Sequence, residues 1–260
     1  MIDYSFSYSD LEYFLLIFTR ISCFIFVAPF FSTNNTPRTV RAGLSLFLAI
    51  LIFHAVTPHQ MPEYSTILGY STLILREGIT GLLIGYGANI CNSIVLFAGK
   101  IADMEIGLSM VQLMDPLTRE ASGFTGSLYQ YAVILLLMVT DMHHYILRAM
   151  VETYTLIPIG GANFQSDKIM TTVVQYLSDY VMIAFRICLP IVAAIMIVNA
   201  VLGILAKTAP QINMFSVGIQ IKILIGLSVL FLTISVLPSA SEHIFEEMKI
   251  MMTAMVESMS

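Results

Sequence analysis

The chain has no tryptophan, only three cysteines, and few charges, with Lys, Arg, Asp and Glu making up 11% of its 260 residues. A soluble globular chain carries about a quarter charged residues. The 12 basic and 17 acidic side chains here are too few to clothe a water-soluble surface. That scarcity excludes a soluble globular enzyme and an intrinsically disordered chain. The net charge of -5, with no basic patch, also excludes a nucleic-acid binder. Cys23, Cys91 and Cys188 are odd in number, widely spaced and set inside apolar runs. They form neither a disulfide framework nor a zinc site, and read as small core residues. The absence of Trp removes the indole anchors that membrane spans usually carry at the headgroup level.

What is present is apolar: 57% of the residues, including 17 Met. This composition leaves an integral membrane protein or a subunit buried in an apolar assembly. Six long runs are predicted to be helices, at residues 11–31, 40–56, 67–99, 128–157, 181–205 and 215–237. They are too long for strands and lack paired turn signals. Breakers separate them, among them Thr36-Pro37, Pro158-Ile159-Gly160-Gly161 and Ala209-Pro210-Gln211. The fifth run carries Arg186 and Pro190 as interruptions. After Pro238, a Ser239-x-x-Glu242 capping-box spacing leads into Ile244, Met248, Met251, Met252, Met255 and Met259 at helical spacing. That amphipathic helix either packs on its own protein or docks a partner through its methionines. The expected fold is therefore all-α, one domain over residues 1–260, with about six long apolar helices, helical breaks and a C-terminal amphipathic helix.

Arg20, Arg76, Arg186 and Lys222 lie within apolar runs, where a cation costs roughly 2.5–3.5 kcal/mol on insertion scales. Two readings are open, a functional site or ion pairs between helices or subunits, and the second is favoured. Arg76 and Glu77 are adjacent, point to different sides of a helix and need partners elsewhere. Gly218 and Gly226 flank Lys222 at four-residue spacing on one face, and Gly81 and Gly85 form a Gly-x-x-x-Gly pair near Gly78. The polar stretch 100–127 contains Gly107, Met110, Met114, Asp115-Pro116, Gly123, Phe124 and Gly126. Its mixed character suits either a re-entrant, pore-lining segment or an ordinary loop. Asp141, His143 and His144 lack His-x-x-x-His spacing, and adjacent histidines on a helix diverge, so no metal site is expected there. No nucleophile elbow, phosphate loop or Cys-x-x-Cys is present. No catalytic residue, cofactor site or metal site is expected.

Several stretches together resemble the FliR family, flagellar export-gate subunits whose relatives in virulence secretion systems are the SctT proteins. They are Ala28-Pro29-Phe30-Phe31 with Thr36-Pro37-Arg38, Arg76-Glu77-Gly78 with Gly81, Gly85 and Tyr86, and Met104 to Ser109 with Asp115-Pro116. Leu156-Ile157-Pro158-Ile159-Gly160-Gly161 and Lys207-Thr208-Ala209-Pro210-Gln211, with Gly218 and Lys222, complete the set. They follow the family's order over nearly the whole chain. The sequence departs at Glu105, where the family usually has Gln. The resemblance implies a pore-forming, non-enzymatic subunit that assembles with FliP and FliQ into a helical gate wrapped by FlhB. Unfolded flagellar subunits would pass through it at the basal body in the bacterial inner membrane, with membrane lipid around it. It also implies a plug loop, corresponding to Met110, Met114, Asp115, Pro116, Gly123, Phe124 and Gly126. Arg20, Arg76, Glu77, Pro158, Gly160, Gly161, Arg186, Pro210, Gln211, Gly218 and Lys222 would serve helix breaks and subunit interfaces. Alternatives are a virulence-type gate subunit and an unrelated secondary transporter or small channel, which would favour an internal repeat and a midplane acid.

Overall fold

The computed structural model describes residues 7–32, 36–55, 62, 64, 66–109, 123–211 and 213–260. Among these residues there are nine α-helices and no strand. They are α1 (Tyr8–Val27), α2 (Arg38–Ala55), α3 (Ile67–Ala88), α4 (Ile90–Ile106), α5 (Phe124–Val139), α6 (Met142–Leu156), α7 (Ser166–Thr208), α8 (Met214–Thr233) and α9 (Leu237–Glu257). One 3-10 turn, Ile234–Val236, joins α8 to α9.

Helix ends fall at the Pro- and Gly-bearing breaks, but three apolar runs divide differently from expectation. The run 67–99 is split at Asn89, whose backbone N–H donates to Gly85 and Tyr86 carbonyls and closes α3. The run 128–157 is split at Thr140 and Asp141, the latter left-handed with φ 57°. There α5 ends and α6 begins. Arg186 and Pro190 do not interrupt the fifth run, because α7 continues through both for 43 residues. A proline removes one helical hydrogen bond, whereas a full break in apolar surroundings would orphan several backbone groups. Pro238 likewise does not end a helix but sits in the first turn of α9, where a missing N–H costs little. The capping-box reading of Ser239 is corrected by the same fact, since its hydroxyl donates to the Val236 carbonyl at 3.0 Å inside an ongoing helical path.

Four helical stretches are long and apolar enough to cross a membrane: α2, α3, α7 and residues 216–257, or five if the α5–α6 pair is one span. Six runs therefore do not become six spans. Helix α1 carries Asp10, Glu12 and Arg20, and α4 has only 17 residues. The chain has the make-up of a multi-pass membrane protein.

The residues cluster into two compact units. The first comprises Met1–Ile90, Asp141–Tyr176 and Glu246–Ser260. Its core forms where α1 presents Ile17, Ile21 and Ile25 beside Leu16, Arg20 and Phe24, two rows at four-residue spacing, all buried. Helix α3 meets α1 with its glycines. A Cβ on Gly81 would strike the main chain of Arg20, and one on Gly85 would stand 3.0 Å from the Phe24 carbonyl oxygen. The small-residue face thus lets two helix backbones approach closely. The C-terminal methionines Met248, Met251, Met252, Met255 and Met259 are buried within their own chain. Gly87 opposes Met251 and Met255, an added Cβ lying 3.3 Å from each. The methionine face is accordingly internal packing rather than an open docking surface.

The second unit comprises Cys91–Thr140 and Leu177–Phe245. Ala102 and Ile106 of α4, Ile191 and Ile195 of α7, and Leu230 of α8 form its core. Phe97 stacks on Tyr180 at 5.0 Å between centroids and meets Phe185 edge-on. Gly226 admits Ile106, whose Cγ1 would lie 2.5 Å from an added Cβ. The outer faces of α7 and α8 leave Met196, Ile197, Ile204, Leu224, Phe231 and Leu232 exposed.

Candidate functional site

Two buried carboxylates organise the chain, one in each unit. Glu77 of α3 and Arg20 of α1 are fully buried and paired. Arg20 Nε donates to Glu77 Oε2 at 2.5 Å, and Nη2 donates to Oε1 at 3.0 Å, a bidentate arrangement. Arg20 Nη1 donates to the Ile157 carbonyl at 2.9 Å, and the Gly160 backbone N–H donates to Glu77 Oε1 at 2.8 Å. The guanidinium also lies 4.4 Å from the centroid of the Tyr154 ring. The turn after α6 is shaped for this contact: Gly160 takes φ 76°, and the Gly161 N–H donates to the Pro158 carbonyl at 2.9 Å. The pair therefore ties α1, α3 and the Pro158–Gly161 turn into one node. Arg20 thus makes an ion pair between helices, its partner sitting 57 residues away on α3.

The second carboxylate, Asp103 on α4, was not singled out by the sequence. It is 3% exposed, and its two oxygens accept from the Thr125 backbone N–H at 3.1 and 3.2 Å. Thr125 lies in the first turn of α5, where backbone N–H groups lack helical acceptors. Gly123, the residue at the N-cap of α5, packs against the Asp103 carboxylate so closely that a Cβ there would overlap it. One turn earlier, Gly99 of α4 presses on the backbone of Gly126. No cation meets Asp103 among the described residues. Burial pushes its carboxyl pKa up, while hydrogen bonds from Thr125 and the Gly126 amide pull it down. A usable signal was in the sequence: Gly99 and Asp103 stand four apart on one face, and Gly123 and Gly126 stand three apart. Nothing marked those two faces as partners.

This arrangement narrows the stretch 100–127. Residues 100–106 continue α4 and 124–127 begin α5, so only 107–123 connect them. Gly107 turns the chain away with φ 92°. Gly123 and Gly126 are buried at the foot of this connection, and Phe124 is 59% exposed. Met110, Met114, Asp115 and Pro116 lie outside the described residues.

The remaining expected residues are dispersed. Arg76 is exposed and meets no carboxylate among the described residues. Arg186 lines an apolar cavity of about 310 Å³ with Pro190, Tyr129 and His243. Lys222 is half-buried on α8, and Pro210 and Gln211 are exposed between α7 and α8. Gly218 is buried, with an added Cβ 3.4 Å from Leu202. His143 and His144 do not diverge, for their ring centroids are 4.0 Å apart. They stand in the first turn of α6, where no preceding turn confines the rings. Asp141, His143 and His144 place one donor atom each within 4.8 Å, and the exposed Asp141 and His144 pair at 3.4 Å.

Residues 11–248 match the family described as "Bacterial export proteins, family 1". The "Flagellar biosynthetic protein FliR" of Bacillus subtilis (strain 168) is 30% identical over 234 residues, covering 89% of this chain and 90% of that protein. The protein of the same name from Escherichia coli (strain K12) is 23% identical over 228 residues, covering 88% and 86%. That of Aquifex aeolicus (strain VF5) is 24% identical over 237 residues, covering 90% and 89%.

Proposed function

The chain belongs to the bacterial export proteins of family 1, and on that footing we propose that it is a structural, pore-forming subunit of the flagellar protein export gate. It works without turnover of its own, assembling with FliP, FliQ and FlhB in the bacterial inner membrane at the flagellar basal body. Unfolded flagellar subunits are the cargo. The observation that carries this reading is the nearly end-to-end similarity to relatives named for flagellar biosynthesis.

The physical chemistry of the chain supports assembly. Only 33% of the most apolar window of α7 and 17% of that of residues 216–257 are buried within the chain. Arg186 and Lys222 lie on those same helices, without a carboxylate partner among the described residues. Lipid would cover the apolar faces but not the cations, whereas neighbouring subunits can cover both. The segment 110–122, between α4 and α5, then serves as the plug of the closed pore, with Gly123 and Gly126 at its foot. Co-expression with FliP and FliQ in mild detergent tests the assembly: a stable large complex is expected. A monodisperse monomer that binds a small solute would instead favour a transporter. Deleting residues 110–122 should raise ion leakage through the assembled gate, and an unchanged leak would sink the plug assignment.

A further inference from the structure

We propose that Asp103 is a positioning residue, a clasp that holds the two ends of the 107–123 connection together. Three observations converge on one spot. The carboxylate is buried, yet its hydrogen-bond acceptor capacity goes to Thr125 rather than to its own helix. Gly123 leaves the volume that the carboxylate fills, so the residue type at 123 is dictated by Asp103. Gly99 and Gly126 bring the α4 and α5 backbones into contact one turn away, which fixes the distance the carboxylate must reach. The clasp thereby fixes one separation between the last turn of α4 and the first turn of α5.

The clasp stands on the described residues alone. Its consequence for the pore rests on the plug reading above: with the feet pinned, the plug returns to the same place after each passage. Releasing the feet should loosen the closed state without removing any plug residue.

The test uses the assembled gate carrying Asp103→Leu, Asp103→Asn or Gly123→Ala, with two readouts. Hydrogen exchange of the peptide spanning Thr125 reports the clasp, and ion leakage in vesicles reports the plug. Loss of a hydrogen bond to a charged acceptor should speed exchange at Thr125 by about tenfold or more in Asp103→Leu. Asp103→Asn keeps an acceptor oxygen and should remain near the unaltered protein in both readouts. Gly123→Ala pushes a methyl into the carboxylate and should follow Asp103→Leu. Unchanged exchange in Asp103→Leu overturns the clasp. Faster exchange with unchanged leakage keeps the clasp and overturns the plug reading. Should Asp103→Leu fail to assemble, the other two decide: the clasp requires faster exchange in Gly123→Ala and not in Asp103→Asn, and any other pattern overturns it.

Discussion

Glu77 and Asp103 are both buried acids that accept a hydrogen bond from a distant backbone N–H, yet they are satisfied in different ways. Glu77 faces a fully buried guanidinium and the Gly160 amide, so its charge is matched at short range. Asp103 has peptide N–H groups and a glycine surface, and no cation among the described residues. Desolvating a charge costs several kcal/mol in practice, and a partner charge offsets much of it. Peptide dipoles offset less. The first node therefore belongs to the permanent core of its unit. The second is held by weaker, neutral donors at the ends of two helices, which suits a joint that has to keep its place beside a connection rather than bear the fold.

The largest effect should come from breaking the matched pair. Glu77→Ala leaves Arg20 buried with no counter-charge and should cost about 3–5 kcal/mol, seen as a lowered unfolding midpoint of the detergent-solubilised protein. Replacing both residues with apolar side chains, Arg20→Met with Glu77→Leu, should recover most of that loss. If the double variant were as unstable as Glu77→Ala, the pair would hold more than its own charges. The Gly160 N–H, left without its acceptor, would be the first place to look.

A smaller effect separates the two regions by packing instead of charge. Gly81→Ala drives a methyl into the Arg20 main chain, and Gly99→Ala drives one into Gly126. Each should cost about 1–3 kcal/mol, the usual range for overpacking. The distribution should differ, because each glycine lies within a different unit. Hydrogen exchange should rise in α1 and α3 for Gly81→Ala, and in α4 and α5 for Gly99→Ala. Gly203 is the control, since open space surrounds its Cβ position. There Ala should be neutral or should stabilise α7 by about 0.5–1 kcal/mol.

Much of this was legible in the residues. The all-α class followed from run length, and the helix ends near Pro37, Pro158 and Pro210 followed from chain breakers. The Gly78, Gly81 and Gly85 face marked α3 as a helix that packs closely, but not that α1 would be its partner. The helix counts diverged where a break has no strong sequence marker. Asn89 and the left-handed Asp141 end helices inside apolar stretches, and Pro190 fails to end one. Tertiary packing decides these, not local propensity. The pairing of Arg20 with Glu77 was legible only as a need, since a sequence shows that a buried cation wants an acid but not which one. Asp103 was missed because it sits in a polar stretch, where an acid attracts no notice until the fold buries it.

The smallest effect tests whether Asp103 is set apart from Glu77 by its lack of a counter-charge. Its carboxyl pKa is raised from the ordinary 3.8 by burial, with Thr125 and Gly126 pulling the other way. A raised folded-state pKa means that the fold binds the proton more tightly than the unfolded chain. The resulting stability is full below the ordinary carboxylate pKa and is lost as pH rises through the folded value. Unfolding midpoints of the unaltered protein and of Asp103→Asn, compared from pH 4 to 7, should therefore diverge. The unaltered protein should lose stability relative to the Asn variant on the way up and then run parallel to it. Because the opposing hydrogen bonds cancel part of the burial effect, the divergence should be smaller than either effect above. A constant difference across the window would mean that the peptide N–H groups compensate the buried charge fully, and the two acids would then be equally well satisfied. A difference of the opposite sign would mean that they overcompensate, making the uncharged-donor site the tighter of the two.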